Sequence, residues 1–167
     1  LARAGALDGL CGSRRQAVWD VQALGPSADD DLFRGMPMDR SPAPGRPLAE
    51  AERVAEDYRT TGLSLTRHPL AMMRPFLDVR RVLTAAQLQR APAKSRIRIA
   101  GLVICRQRPP TAKGVAFLSL EDETGISNLV VSPEIFERDR GVLLGSAFLY
   151  AEGRVERVSN VVNVQVT

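Results

Sequence analysis

Six basic residues stand between positions 94 and 113 with no acid among them: Lys94, Arg96, Arg98, Arg106, Arg108 and Lys113. Arginine offers a planar fork of donors that suits phosphate, so a local excess of this kind points to a polyanion-facing surface, with a solvated strand face as the plain alternative. Alternation places Phe117 and Ser119 on one side of the next segment and Leu118 and Leu120 on the other. Further on, Tyr150 and Arg154 share a face with Phe148. A cationic groove set with aromatic platforms is what single-stranded nucleic acid needs, because phosphates require charge and bases require a flat surface. Burial is the competing reading of Phe117 and Tyr150, and eight aromatics in the whole chain leave little material for stacking. Charge should then dominate. Four phosphate contacts would give a slope of roughly −3 in log K against log salt.

Catalytic patterns are missing from the same survey. Glu121, Asp122 and Glu123 stand together at a turn, with no further acidic pair to complete a two-metal site, and read as a solubilising turn. The one histidine, His68, precedes a proline and reads as a helix-entry device rather than a general base. Cys11 and Cys105 lack a second cysteine or histidine at ligand spacing, so a zinc site and a disulfide framework are both disfavoured and a reduced compartment is expected. No P-loop or dinucleotide fingerprint occurs. No cofactor and no metal are expected for this chain.

The elements that must position these residues follow from composition and period. The 167 residues are 44% hydrophobic and 25% charged, with a net charge of +4, which suits one domain or two small ones. No apolar run is long enough to span a bilayer. The opening Leu1-Ala2-Arg3-Ala4-Gly5 has neither an initiator Met nor a signal-peptide core, so the chain reads as part of something longer. Residues 1–24 read as helical, with Ser13 and Gln16 as a capping box. Residues 25–47 hold five prolines and read as a flexible linker. Residues 48–93 return to helix, with Gly62 as a C-cap and Thr84 and Gln87 as a second capping box.

From residue 94 the period changes to two. Strands are expected from Arg96 past Gly101 to Arg106, over 115–121, 126–132, 147–158 and 161–166, with a short helix at 133–140 and a turn at Ser159-Asn160. Glycine inside a long strand marks the bend that a closing barrel needs. Three strands, a helix and two strands over residues 94–167 are the plan of an OB-fold, a five-stranded barrel. The fold class is therefore α+β and mostly β, with a helical segment before the barrel.

Several stretches resemble a known family. Glu56-Asp57-Tyr58-Arg59-Thr60-Thr61-Gly62-Leu63-Ser64-Leu65-Thr66-Arg67-His68-Pro69-Leu70 resembles the segment before the OB domain of bacterial C-family DNA polymerases. Leu1 to Asp8 and Ser13 to Ala17 resemble the tail of that family's helix-hairpin-helix region, and 106–125 with 133–138 resemble its OB domain. The wording is nearest to the error-prone, damage-inducible branch (the ImuC type). The resemblance implies a parent nucleotidyltransferase that performs template-directed synthesis with two metal ions in bacterial cytoplasm, during translesion synthesis, induced mutagenesis and DNA repair. It places the catalytic aspartates in a palm domain that no position here matches, so this chain is expected not to be an enzyme by itself. Implied partners are single-stranded DNA, the inactive Y-family-like component of the mutasome and the sliding clamp, with no membrane. The residues expected to bind nucleic acid are Arg98, Arg106, Arg108, Lys113, Phe117, Ser119, Tyr150 and Arg154. A protein-docking barrel and an anticodon-binding OB domain are the alternatives.

Overall fold

The computed structural model describes residues 1–23, 42, 45–158 and 161–167. Most of the expected 25–47 linker, Leu24 and the Ser159-Asn160 turn lie outside the described residues. The chain divides into two compact units, Leu1–Arg67 and His68–Thr167, and the division falls inside the 48–93 stretch.

The first unit is helical: α1 (Asp8–Cys11), α2 (Arg14–Ala23) and α3 (Glu50–Thr61). Ser13 Oγ accepts from Gln16 N at 3.2 Å, as the capping pattern predicts. Gly62 ends α3 at φ 77°, the left-handed conformation that favours glycine. Ala17 of α2 and Val54 of α3 are fully buried. Beside them Arg14 donates to Asp57 at 2.5 Å, and Ser64 Oγ donates to the other oxygen of the same carboxylate at 2.6 Å. Burial pushes the Asp57 carboxyl up, but the hydrogen bonds from Ser64 and Arg14 outweigh it and hold the group below the usual carboxylate range.

The second unit is a barrel with a helical collar. Its elements are α4 (Pro69–Val79), β1 (Val82–Leu83), α5 (Ala85–Leu88), β2 (Arg96–Gln107), β3 (Ala116–Asp122), β4 (Gly125–Val131), α6 (Pro133–Arg138), α7 (Arg140–Gly145), β5 (Phe148–Val158) and β6 (Val161–Val166). The sheet runs β1-β2-β3-β4-β6-β5, and β5 pairs back onto β2. Five strands therefore close on themselves, with β4 and β6 parallel and the other barrel pairs antiparallel. This is the expected OB-fold.

Closure depends on β2, which bends as it passes from β5, paired over residues 96–102, to β3, paired over residues 102–107 with a bulge between Val103 and Cys105. Gly101 sits at this bend. A Cβ there would lie 2.7 Å from Leu120 Cβ and 2.9 Å from the Glu121 carbonyl oxygen, so only glycine lets the strands approach. The core is lined by alternate residues of every barrel strand, among them Ile99, Leu120, Leu129, Val155 and Val164, and is plugged by Phe136 and Leu143 from the inserted helices.

Three local readings change. Val82–Leu83 is a two-residue strand parallel to β2 inside a stretch read as helix; two residues show no period, and the pairing is set by distant sequence. The inserted helix does not stop at Arg140: Asp139 leaves the helical region at φ −108° and α7 continues to Gly145, where Gly141 and Gly145 mask the helical pattern. The acidic turn is not merely solubilising. Asp122 is buried and accepts from Ala85 N and Thr124 N, each at 2.7 Å, while Glu123 takes a two-pronged pair from Arg74 at 2.5 and 3.0 Å. These contacts latch α4 and α5 to the β3–β4 hairpin.

Candidate nucleic-acid interface

Alternation on β3, β4 and β6 sends Leu118, Leu120, Leu129, Val131, Val162 and Val164 inward. The residues between them form an open outer face, and the strand registers fix its rows. In one row Gln107, Phe117, Val130, Gln165, Arg154 and Arg96 succeed one another around the barrel. In the next stand Cys105, Ser119, Asn128, Asn163 and Glu156. Phe117 is 40% exposed, so its ring presents a face to solvent as the alternation implies. Ser119 Oγ lies 3.3 Å from Asn128 Oδ1. The centre of the face is neutral, with one aromatic ring, amides and a hydroxyl; Glu121 stands on its β3 edge, and Arg154, Arg96 and Glu156 bring charge at the β5 side.

The expected basic residues are split between four places. Arg106 and Arg108 share a strand side, and that side meets the inserted helices. Arg106 Nε donates to the Leu143 carbonyl at 2.7 Å and its Nη2 donates to the Ser146 carbonyl, so the guanidinium caps the last turn of α7. Arg108 stacks over the Phe136 ring at 4.2 Å, donates to the Gly114 carbonyl and pairs with Glu137 at 3.0 Å. Arg98 and Tyr150 lie on the β2–β5 side, where both contact Glu152, at 2.9 and 3.1 Å. Partial burial, and then the hydrogen bond to Glu152, push the Tyr150 phenol up; that same bond, with Arg98 close by, holds the Glu152 carboxyl down. Arg154 belongs to the outer-face row, and Lys113 stands in the β2–β3 loop at φ 49°. Both stand in no ion pair or side-chain hydrogen bond among the described residues.

Enclosed space is unevenly distributed over the second unit. A cleft of about 110 Å³ lies between the strand ends and the inserted helices, bordered by Arg106, Arg108, Phe117 and Phe136. That is below the roughly 300–1,000 Å³ of small-molecule pockets, so an extended ligand suits the open face beside Phe117. A larger cavity of about 470 Å³ lies apart from that face, between the inserted helices and β5, bordered by Asp139, Val142, Tyr150 and Glu152. In the first unit a cavity of about 520 Å³ is lined by Arg3, Arg15, Trp19 and Glu56, among others. No group of three metal-ligating side chains occurs among the described residues. No helix among them is long and apolar enough to cross a membrane.

Comparison with known proteins gives the context. An error-prone DNA polymerase of Anaeromyxobacter dehalogenans is 51% identical over 99% of this chain, those of Aromatoleum aromaticum and Caulobacter vibrioides 43% and 42% over 98%. From end to end the chain is similar to error-prone DNA polymerases. It spans about 15% of the length of these relatives. No protein-family model matches it. Among solved structures, asparaginyl-tRNA synthetase from Pyrococcus horikoshii is 26% identical with a TM-score of 0.42, over 51% of this chain and 20% of that one. The S. pombe Stn1-ten1 complex is 16% identical with a TM-score of 0.36, over 55% and 71%. Overlaps this weak leave the fold to be read from the strand order.

The polymerase-like stretch from Glu56 to Leu70 is built of structural parts. Asp57 and Ser64 complete the buried ion pair, and Gly62 ends α3. His68 Nδ1 accepts from Leu70 N at 3.2 Å, so the imidazole caps α4 as a helix-entry device, and Leu70 is fully buried. Asn128, Asn163 and Gln165 were missed as members of the outer face. Their signal was present in the alternation of 126–131 and 161–166, but neutral amides stand out less than arginines.

Proposed function

We propose that this chain is a nucleic-acid-binding part of an error-prone DNA polymerase, with single-stranded DNA lying across the outer face of β3, β4 and β6. What carries the reading is a closed OB barrel whose open face holds Phe117, Ser119, Asn128, Asn163 and Gln165, in a sequence 51% identical to an error-prone DNA polymerase. Phe117 supplies the stacking surface and the amides and hydroxyl face base edges. Lys113 and Arg154 contact phosphates. Arg106 and Arg108 act through α6 and α7, which they hold against the strand ends. Within the whole polymerase this part would steady the template strand during damage-induced synthesis and repair.

Fluorescence anisotropy with single- and double-stranded oligonucleotides tests the proposal. The chain should prefer the single strand, and Phe117→Ala should weaken it by about tenfold, in line with the usual worth of one base–aromatic stack. Absence of binding to either nucleic acid would refute it. A second reading, a barrel that docks the polymerase on the mutasome component or the sliding clamp, draws on the internal commitment of Arg98, Arg106 and Arg108. Capture of such a partner by a chain that ignores DNA would favour it.

A further inference from the structure

The side of the second unit formed by α4, β2 and β5 carries a second set of cations and rings. Phe76 on α4 is 55% exposed, and Arg80 lies over its ring at 3.5 Å. Arg98 donates to the Arg80 carbonyl at 3.3 Å, tying that turn of α4 to β2. Opposite Arg98 on β5 is Glu152, which also receives Arg96 at 3.3 Å and the Tyr150 hydroxyl at 3.1 Å. Four guanidinium groups (Arg80, Arg96, Arg98 and Arg154) thus share one neighbourhood with a single carboxylate that bonds to any of them, Glu152. Arg81 and Asp78, one of each sign, flank it without changing the balance. Tyr150 is 45% exposed beside them.

This patch is continuous with the outer face. Arg154 is opposite Gln165 on one side and Arg96 on the other, so the Phe117 row leads straight into it. From β3 to β2 by this route is four interstrand steps of about 4.8 Å, or about 19 Å of arc. Roughly six nucleotides cover that distance at the 3.4 Å rise of a stacked strand. Exposed rings interleaved with an excess of arginine are a surface for single-stranded nucleic acid, since each satisfies one half of the ligand.

We infer that a single strand long enough to leave the outer face crosses β6 and β5 and continues over Phe76, Arg80, Arg96, Arg98 and Tyr150, which form a second contact area. The inference rests on the binding reading above and extends its footprint. Glu152 acts as a positioning residue that aligns Arg96, Arg98 and Tyr150. Phe76 and Tyr150 are the platforms.

The test compares oligothymidines of about 6 and about 14 nucleotides, lengths inside the range that OB barrels occupy. The chain should bind the longer one about tenfold more tightly, beyond the gain from added binding registers. The double variant Phe76→Ala with Tyr150→Ala should lose that gain and bind the shorter one as before, whereas Phe117→Ala weakens both. A length gain that survives in the double variant overturns the second contact area, as does equal affinity of the unaltered chain for both lengths; either result leaves the outer-face reading standing. No binding of either oligonucleotide overturns both. Photocrosslinking of the unaltered chain with 5-iododeoxyuridine along the longer strand is independent of how the variant folds. Adducts should appear on Tyr150 or Phe76, and adducts confined to the Phe117 face count against the extension.

Discussion

Replacing Arg106 with alanine should cost thermal stability and leave the salt dependence of oligonucleotide binding unchanged. The side chain donates to the Leu143 and Ser146 carbonyls at the end of α7, and α7 supplies Leu143 to the core. Hydrogen bonds from a charged donor are worth roughly 1.5–3 kcal/mol each, and exposure of this one reduces the pair to about 2 kcal/mol in total. For a unit of about 100 residues that is a fall in Tm of roughly 10 °C. Thermal melts by circular dichroism would measure it. Anisotropy with a six-nucleotide strand from about 50 to about 200 mM salt would give the slope, which changes by about 0.7 for each phosphate that is no longer neutralised. Lys113 and Arg154 alone predict a slope near −1.4, about half of what four contacts would give. Arg154→Ala should bring it to about −0.7, and Arg106→Ala should leave it at about −1.4. If Arg106→Ala lowers the slope by about 0.7 and leaves Tm unmoved, its guanidinium serves phosphate and the structural assignment is wrong.

Other consequences follow from the latch and the bend. Arg74→Ala leaves Glu123 and the buried Asp122 without their guanidinium partner and should destabilise the second unit by about 3 kcal/mol in urea denaturation. Burial pushes the Glu123 carboxyl up, but Arg74 outweighs it and holds the group below its ordinary value. Its contribution is therefore present above the ordinary carboxylate range and is lost as pH falls through the lowered value. Between about pH 5 and about pH 3 the unaltered chain should lose stability more steeply than Glu123→Gln, which has no proton to gain. Gly101→Ala forces a Cβ against Leu120 and the Glu121 carbonyl; it should cost at least about 2 kcal/mol, read from the denaturation midpoint.

Much of the barrel was legible because its signals are local. Alternation in 116–122 and 161–166, the glycine inside β2, the Ser132-Pro133 helix start and the Thr84–Gln87 capping box each depend on neighbours within a few residues. Phe117 and Ser119 were placed on the outside by the same rule. Asn128, Asn163 and Gln165 obey it equally, but a neutral amide at an outward strand position carries no charge signal to set it apart from any solvated residue.

What the sequence determined alone was the order of strands, the switch from helical to strand period near residue 94, and the likeness to polymerases carried by residues 56–70. Tertiary structure decided what each arginine does. Arg106 and Arg108 lie two apart on a strand, a spacing that fits phosphate contacts and a helix clamp equally well. The choice came from α6 and α7, which bring the Leu143 carbonyl, Phe136 and Glu137 to the guanidinium groups from about thirty residues away. Likewise Arg98 and Glu152 meet only because β5 closes on β2. A charge's partner is set by three-dimensional distance, and strand pairing across a closed barrel makes that distance independent of separation along the chain.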